Sequence, residues 1–359
     1  MKFSLFAKKA KNKSGIIIII VLWILIILTA LVVSLGRSTS VELALTKNAI
    51  GKMKAKYLAW AGLIYAINEV RKDSEDSTSS LNDPLYFCAI PMNTDVSVEK
   101  IFDNIELTDG TFTIGYHPLD RDAETFYHGL QDEERFLNIN AIDAQTVRVF
   151  TELVVLLGFD EEVARTAAYS IVDWVDDNDD LSHQSYGAES EYYSGLPKPY
   201  LPKNRPFDSK AELMLVRGID QQLFEAIEPY ITVYPPGEAL KVNFDTASAI
   251  VLKAVMRALT GAVTNTDVSD ADSLVLKILD YREGDDGQPF TSDDRSVNMM
   301  EMALNAKERV IFLSANQFKA ERSEYIRAIV TGRESRSGIE DMIETVIRRE
   351  DLAIISWRR

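Results

Sequence analysis

The chain has 359 residues, 46% hydrophobic and 26% charged, with a formal net charge of −16. That composition belongs to a folded protein of about two domains and excludes wholesale disorder. A single cysteine, Cys88, excludes an intramolecular disulfide and a cysteine-based zinc cluster, and three scattered histidines (His117, His128, His183) speak against a histidine-rich metal site or a Ser-His-Asp triad.

The charge is uneven. Residues 1–15 hold five lysines (Lys2, Lys8, Lys9, Lys11, Lys13) and no acid, which leaves the remainder at −21. A body that acidic repels nucleic acid, whose phosphates need a basic face, and attracts cations.

Ile16 to Leu35 is a run of 20 uncharged residues. At 1.5 Å per residue it spans roughly 30 Å, the thickness of a bilayer core. The lysine stub before it belongs on the cytoplasmic side and the acidic body on the far side. A plain signal anchor fits this run. A cleaved secretory signal fits less well, because the apolar stretch is longer than the usual ~7–15 residues and no Ala-x-Ala site follows. A prepilin-type leader fits closely: Gly15 would end the leader and Ile16 would begin the mature chain. Beyond Arg37, Val41, Leu45, Met53, Tyr57, Ala61, Ile64 and Tyr65 recur at helical spacing, and no proline occurs before Pro84. One helix from about Ile16 to Val70 is expected, roughly 80 Å long, with Arg71 to Asn82 as a loop.

The alternation Phe112, Ile114, Tyr116 predicts a strand over 111–116. Asp143 is a candidate cap for a helix from Ala144 to Leu157, and Asp160 for one running to about Trp174. Ser209-Lys-Ala-Glu212 is a capping box. The turn Val216-Arg-Gly-Ile219 joins it to a helix capped by Asp220, and Val242-Asn-Phe-Asp245 opens a further helix through Leu259. These are helix-hairpin-helix-like units. In nucleic-acid binders such a turn holds a phosphate; here Asp220 puts a carboxylate there.

Between the hairpins lies Asp173-Trp-Val-Asp-Asp-Asn-Asp-Asp180. Asp176, Asn178 and Asp180 stand at the alternate spacing of the first ligands of a calcium loop, and Glu189 or Glu191 is placed to close the shell. Leu181 and Gly187 occupy positions where an EF-hand needs its turn glycine and closing glutamate, so the loop is a candidate calcium site but not an EF-hand. Glu283 to Gly287 with Asp293 and Asp294 form a second acidic patch. A metal-dependent hydrolase would have to use His183 as its base. Arg309–Ser314, Tyr325–Thr331 and Leu352–Trp357 read as strands. The whole is an α+β protein whose long N-terminal helix lies on an antiparallel sheet.

Taken together, the Gly15-Ile16 junction with Val-Leu-Trp-Ile-Leu after it, Leu137-Asn-Ile-Asn140, Asp173-Trp-Val-Asp176 followed by Gly187-Ala-Glu189, Asn204-Arg-Pro-Phe with Glu212-Leu-Met-Leu-Val-Arg-Gly-Ile219, Pro229-Tyr-Ile-Thr-Val-Tyr-Pro235 and the near-terminal Trp357 resemble the K-class minor pseudopilins of the bacterial type II secretion system. The resemblance implies a pilin-like fold with a large inserted α-helical domain. The expected divisions are a leader over 1–15, the long helix over 16–71, the first part of the head over 72–136, the inserted domain over 137–260 and the last strands over 261–359. It also implies cleavage by a prepilin peptidase, methylation at Ile16, and structural calcium with Asp176 and Glu189 in the family pattern. The implied place is the tip of an inner-membrane-anchored pseudopilus with a periplasmic head. The implied partners are I- and J-class minor pseudopilins, the inner-membrane secretion platform and lipid, with no nucleic acid and no catalytic activity. Ordinary pilins carry a glutamate at the fifth mature position; here that residue is Ile20, which with Trp23 is expected to pack against neighbouring helices. A subunit without that carboxylate suits the topmost place, because an unpaired charge in the apolar bundle is costly. The alternative reading is a membrane-anchored helix-hairpin-helix protein of the DNA-uptake type.

Overall fold

A computed structural model describes residues 14–75, 102–117, 125–261, 265–285, 287, 294–320 and 323–358. The lysine stub, Cys88, and Asp286 and Asp293 of the second acidic patch lie outside the described residues.

Helix α1 (Ser14–Glu75) is 62 residues long and runs without a break through Gly36. It takes up the start of the loop expected after Val70. Residues 17–50 are exposed on every side. From Gly51 onward one stripe is buried: Ala55, Leu58, Ala59, Leu63, Ala66 and Val70 recur at three- and four-residue steps. The same helix is therefore uncharged and exposed over its apolar run to Leu35, and amphipathic from Gly51 onward.

That stripe lies on an antiparallel sheet. The strands are β1 (Ile105–Leu107), β2 (Gly110–Tyr116), β3 (Tyr127–His128), β4 (Gln131–Asp132), and, after a second strand pair and several helices, β7 (Tyr325–Glu334), β8 (Glu340–Arg348) and β9 (Ile354–Arg358). The order is β1-β2-β7-β8-β9, with β3 added to β2 and β4 to β7. Along β7, Ile326, Ala328 and Val330 alternate into the core against α1, with Phe112 and Ile114 from β2 beside them. At Gly332 the strand touches the helix itself: a Cβ there would collide with the Ala59 amide and the Ala55 carbonyl oxygen. This close approach is why small residues face each other at the crossing.

The remaining elements form a helical unit. They are β5 (Leu137–Asn138), paired in parallel with β6 (Ile231–Thr232), and the helices α2 (Val147–Leu156), α3 (Glu161–Val175), α4 (Ser190–Ser194), α5 (Gln221–Ile227), α6 (Ala249–Ala258), α7 (Val268–Arg282) and α8 (Ala306–Ala315). Their shared apolar core runs from Leu137 to Ala315, so it reaches past the division expected at 260: α7 and α8 belong to it. Buried charges join this unit to the sheet. Arg327 on β7 donates to Glu133 at 2.5 Å and to Glu344 on β8 at 3.0 Å. The other Glu133 oxygen accepts from Thr232 on β6. Removing one partner would leave an uncompensated buried charge.

Several local expectations change. Arg309–Ser314 is not a strand but the body of α8. Asn305 and Glu308 form a reciprocal capping box at its start, and Ile311, Phe312 and Ala315 bury one helical face. The helix expected from Ala144 begins at Val147, because the Asp143 carboxylate instead closes a turn on the Gln145 and Thr146 amides. The helix expected after Asp245 begins at Ala249 under Ser248; Asp245 accepts from the Val297 amide and the Ser296 hydroxyl.

The helix–strand crossing yields a test. Gly332→Ala is expected to destabilise the full chain in detergent by about 1–3 kcal/mol through overpacking. Gly36→Ala, which meets open space, should leave the thermal midpoint unchanged or slightly raised. Equal midpoints for the two variants would contradict the packing.

Candidate cation site on the acidic loop

Helix α3 delivers two carboxylates one turn apart. Asp173 lies in its last turn, fully buried. Asp176 follows as the helix C-cap. The chain then makes a tight excursion and returns Glu189 at the start of α4. One oxygen from each of Asp173, Asp176 and Glu189 lies within 4.8 Å of the others.

Asp173 organises the loop. Its Oδ1 accepts the Ser182 amide at 2.8 Å and its Oδ2 the Ala188 amide at 2.6 Å. It sits there because Trp174, its neighbour, is anchored in an aromatic cluster with Tyr193 and Phe207. The Phe207 amide and carbonyl are both held by the Asn140 side chain, so the Leu-Asn-Ile-Asn segment indirectly sets the site.

Glu189 has the opposite character. It is 4% exposed, and both of its carboxylate oxygens are buried without a hydrogen-bond partner among the described residues. Burial, then Asp173, Asp176 and Asp179, push its carboxyl up to about 8. Burial also raises Asp176, with Asp173 adding to the effect. Three carboxylates this close oppose one another's ionisation. A hard divalent cation reverses that penalty and takes such oxygens as ligands. The residues present therefore fit a calcium-type ion: Glu189 would supply free oxygens, and Asp173 and Asp176 oxygens of carboxylates that also accept backbone amides.

Of the residues expected to bind metal, the fold brings Asp176 and Glu189 together and adds Asp173. Asn178, Asp180 and Glu191 are exposed and stand outside the cluster. The Asn178 side-chain oxygen accepts the Asp180 amide at 2.7 Å, so the alternate spacing builds a turn. In the sequence Asp173 reads as helix interior, and only its i,i+3 relation to Asp176 marks it as a ligand. In the second acidic patch Asp285 pairs with Arg295 at 2.6 Å. His183 packs against Tyr169 and Tyr186, and its Nδ1 accepts the Ser185 amide. Asp220 caps α5 on the Leu223 amide, where a phosphate would need that donor.

The Glu189 shift fixes a pH dependence. Its folded value lies above its usual 4.5, so the folded state holds the proton more tightly. The associated stability is complete at low pH and is lost as pH rises from about 4.5 toward about 8. In chelator, Glu189→Gln should therefore gain thermal stability relative to the native chain between about pH 5 and pH 8. Calcium at the upper end should raise the midpoint of the native chain and barely move the variant. A pH-independent difference with no calcium response would sink the site.

A family model described as "Type II secretion system (T2SS), protein K" matches residues 132–236, the stretch that contains the whole candidate site. The type II secretion system protein K of Aeromonas hydrophila is 37% identical over 100 residues, covering 28% of this chain and 30% of that protein. The protein of the same name from Klebsiella pneumoniae is 26% identical over 245 residues, covering 66% of this chain and 67% of its own length. The matched stretch thus spans about a third of the first relative and about two thirds of the second. Among solved structures, a chain of the GspK-GspI-GspJ complex from the enterotoxigenic Escherichia coli type 2 secretion system has the same fold. Its TM-score is 0.58 at 14% identity, over 87% of this chain and 98% of that one. The resemblance read from the sequence is borne out: the chain is similar to type II secretion system protein K, whose family model matches residues 132–236, and it has a pilin-like α+β fold.

Proposed function

We propose that this chain is a minor pseudopilin that starts and caps the pseudopilus of a type II secretion system, a structural subunit and not an enzyme. The observation that carries the reading is α1. Its first part is apolar and exposed on every side, and its second half is packed on the sheet. The exposed stretch 17–50 would project roughly 50 Å. Such a rod anchors a rigid head to a bilayer and offers a surface to like helices. Ile20 and Trp23 are exposed on it, at 52% and 61%. The first acid after Gly15 is Glu42, so the apolar segment holds no carboxylate that could neutralise the amine of a subunit above it. That suits the uppermost position.

In this reading a prepilin peptidase cuts between Gly15 and Ile16, the new amine is methylated, and the helix stands in the inner membrane with the head in the periplasm. The partners are I- and J-class minor pseudopilins, by analogy with the complex that a protein of the same fold forms with GspI and GspJ. On the outward face of α1, Ile50, Met53, Tyr57 and Ile64 form an apolar stripe at helical spacing, beside the Trp60–Trp357 contact. Partner helices would dock there, and the secretion platform would meet the cytoplasmic end. Calcium held by Asp173, Asp176 and Glu189 would stabilise the helical unit.

Intact-mass measurement after co-expression with and without a prepilin peptidase tests the core of this reading. The expected result is a peptidase-dependent cut after Gly15 with one added methyl. An uncut chain, or a cut beyond Leu35, contradicts it. The docking stripe has its own test. Tyr57→Glu with Ile64→Glu should abolish co-purification with I- and J-class subunits and leave the thermal midpoint of the head unchanged; undiminished co-purification would rule out the stripe.

A further inference from the structure

The turn between the second pair of helical segments, Val216-Arg-Gly-Ile219, is the one that faces phosphates in nucleic-acid-binding versions of the motif. Here its arginine faces inward. The Arg217 guanidinium donates from Nη1 to the Gly187 carbonyl at 2.7 Å and from Nη2 to the Ser185 carbonyl at 3.4 Å. Its plane lies over the Tyr192 ring, 4.9 Å from the centroid. Its own amide donates to the Tyr193 hydroxyl. The turn is seated on α3, the helix that carries Asp173, with Gly218 against Thr166 and Ala167.

The Gly187 carbonyl and the Ala188 amide belong to one peptide unit. Arg217 holds its oxygen, and Asp173 Oδ2 accepts its N–H at 2.6 Å. The unit is gripped at both ends by opposite charges, which fixes which way it faces. Turned over, it would point a carbonyl at the Asp173 carboxylate and lose both bonds. The space is close on the Asp173 side as well: a Cβ at Gly187 would collide with Asp173 Oδ2. Glu189 follows directly, and its buried oxygens have no bond among the described residues that orients them. Its placement therefore depends on the backbone before it.

Resting on the cation reading above, we propose that Arg217 is a positioning residue for that site: by fixing the Gly187–Ala188 peptide it presents Glu189 to Asp173 and Asp176 and so sets the affinity for calcium. The fork geometry matters. A guanidinium can reach two carbonyls while stacked on a ring, and an ammonium cannot.

The test is calcium titration calorimetry on the full chain in detergent, together with thermal midpoints in chelator. The native chain is compared with Arg217→Met, Arg217→Lys, Gly187→Ala and Arg165→Met. Arg165 stacks over Tyr186 of the same loop and touches neither end of the peptide. Arg217→Met is expected to weaken calcium binding at least roughly tenfold, the worth of a charge-assisted hydrogen bond. Arg217→Lys should fall between, Gly187→Ala should weaken binding without touching the arginine, and Arg165→Met should bind as the native chain does. The chelated midpoints of Arg217→Lys and the native chain should agree within a few degrees, which separates lost positioning from lost folding. If Arg217→Met fails to fold, Arg217→Lys and Gly187→Ala decide. Native affinity in both of these overturns the positioning role and leaves the cation site standing. No calcium binding by the native chain overturns the cation reading and this inference with it.

Discussion

Backbone contact between the second half of α1 and strand β7 is the constraint around which the molecule is arranged. A helix and a strand approach this closely only where side chains are removed from the crossing. Gly332 opposite Ala55 and Ala59 does that. With the crossing fixed, the apolar stripe through Leu58, Leu63 and Val70 meets the alternating face of β7 and β2. The rest of the helix has no choice but to project. Because a single helix carries both halves, the collar of exposed apolar residues stands at a fixed distance and angle from the head. A flexible linker at Gly36 would have uncoupled them; a rigid rod transmits a push.

The buried carboxylates of this acidic protein are placed in contrasting ways. Glu133 is answered by Arg327 and Thr232, and Arg327 in turn by Glu344. Asp173 is answered by two backbone amides. The Glu189 carboxylate oxygens accept no hydrogen bond among the described residues. The contrast gives the acidic loop its meaning. Most of its acids are solvated or cap turns, and in the one converging set Asp173 and Asp176 share backbone amides while the Glu189 oxygens are left without a donor among the described residues. Arg217 takes part from outside the cluster: its charge goes to carbonyl oxygens and a tyrosine ring, which leaves the carboxylates uncompensated for an ion.

Much of this was legible in the residues. The uncharged run from Ile16, the absence of proline before Pro84 and the three- and four-residue rhythm after Arg37 describe one long helix. The alternation at Phe112, Ile114 and Tyr116 gives β2, and the run from Tyr325 gives the start of β7. Asp176 and Glu189 stood out by their pattern. Other features were hidden for physical reasons. Arg309–Ser314 is rich in apolar and β-branched residues, and a capping box at Asn305 outweighs that preference. Strand β8 is interleaved with acids and matters only through its pairing with β7. Asp173 looks like a residue inside an amphipathic helix until the loop folds back over it.

The sequence by itself determined the class of the protein: local periods of hydrophobicity and the position of charges are properties of neighbours along the chain. It could mark a glycine at 187 or an arginine at 217 as belonging to turns. Only the tertiary structure decided which oxygens converge, which carboxylate is left without a donor and which way Arg217 points. Those outcomes depend on residues tens of positions apart meeting in space, and on burial, which turns an ordinary glutamate into an unsatisfied one. No local pattern carries that information, because the cost of burying a charge exists only once the rest of the chain has closed around it.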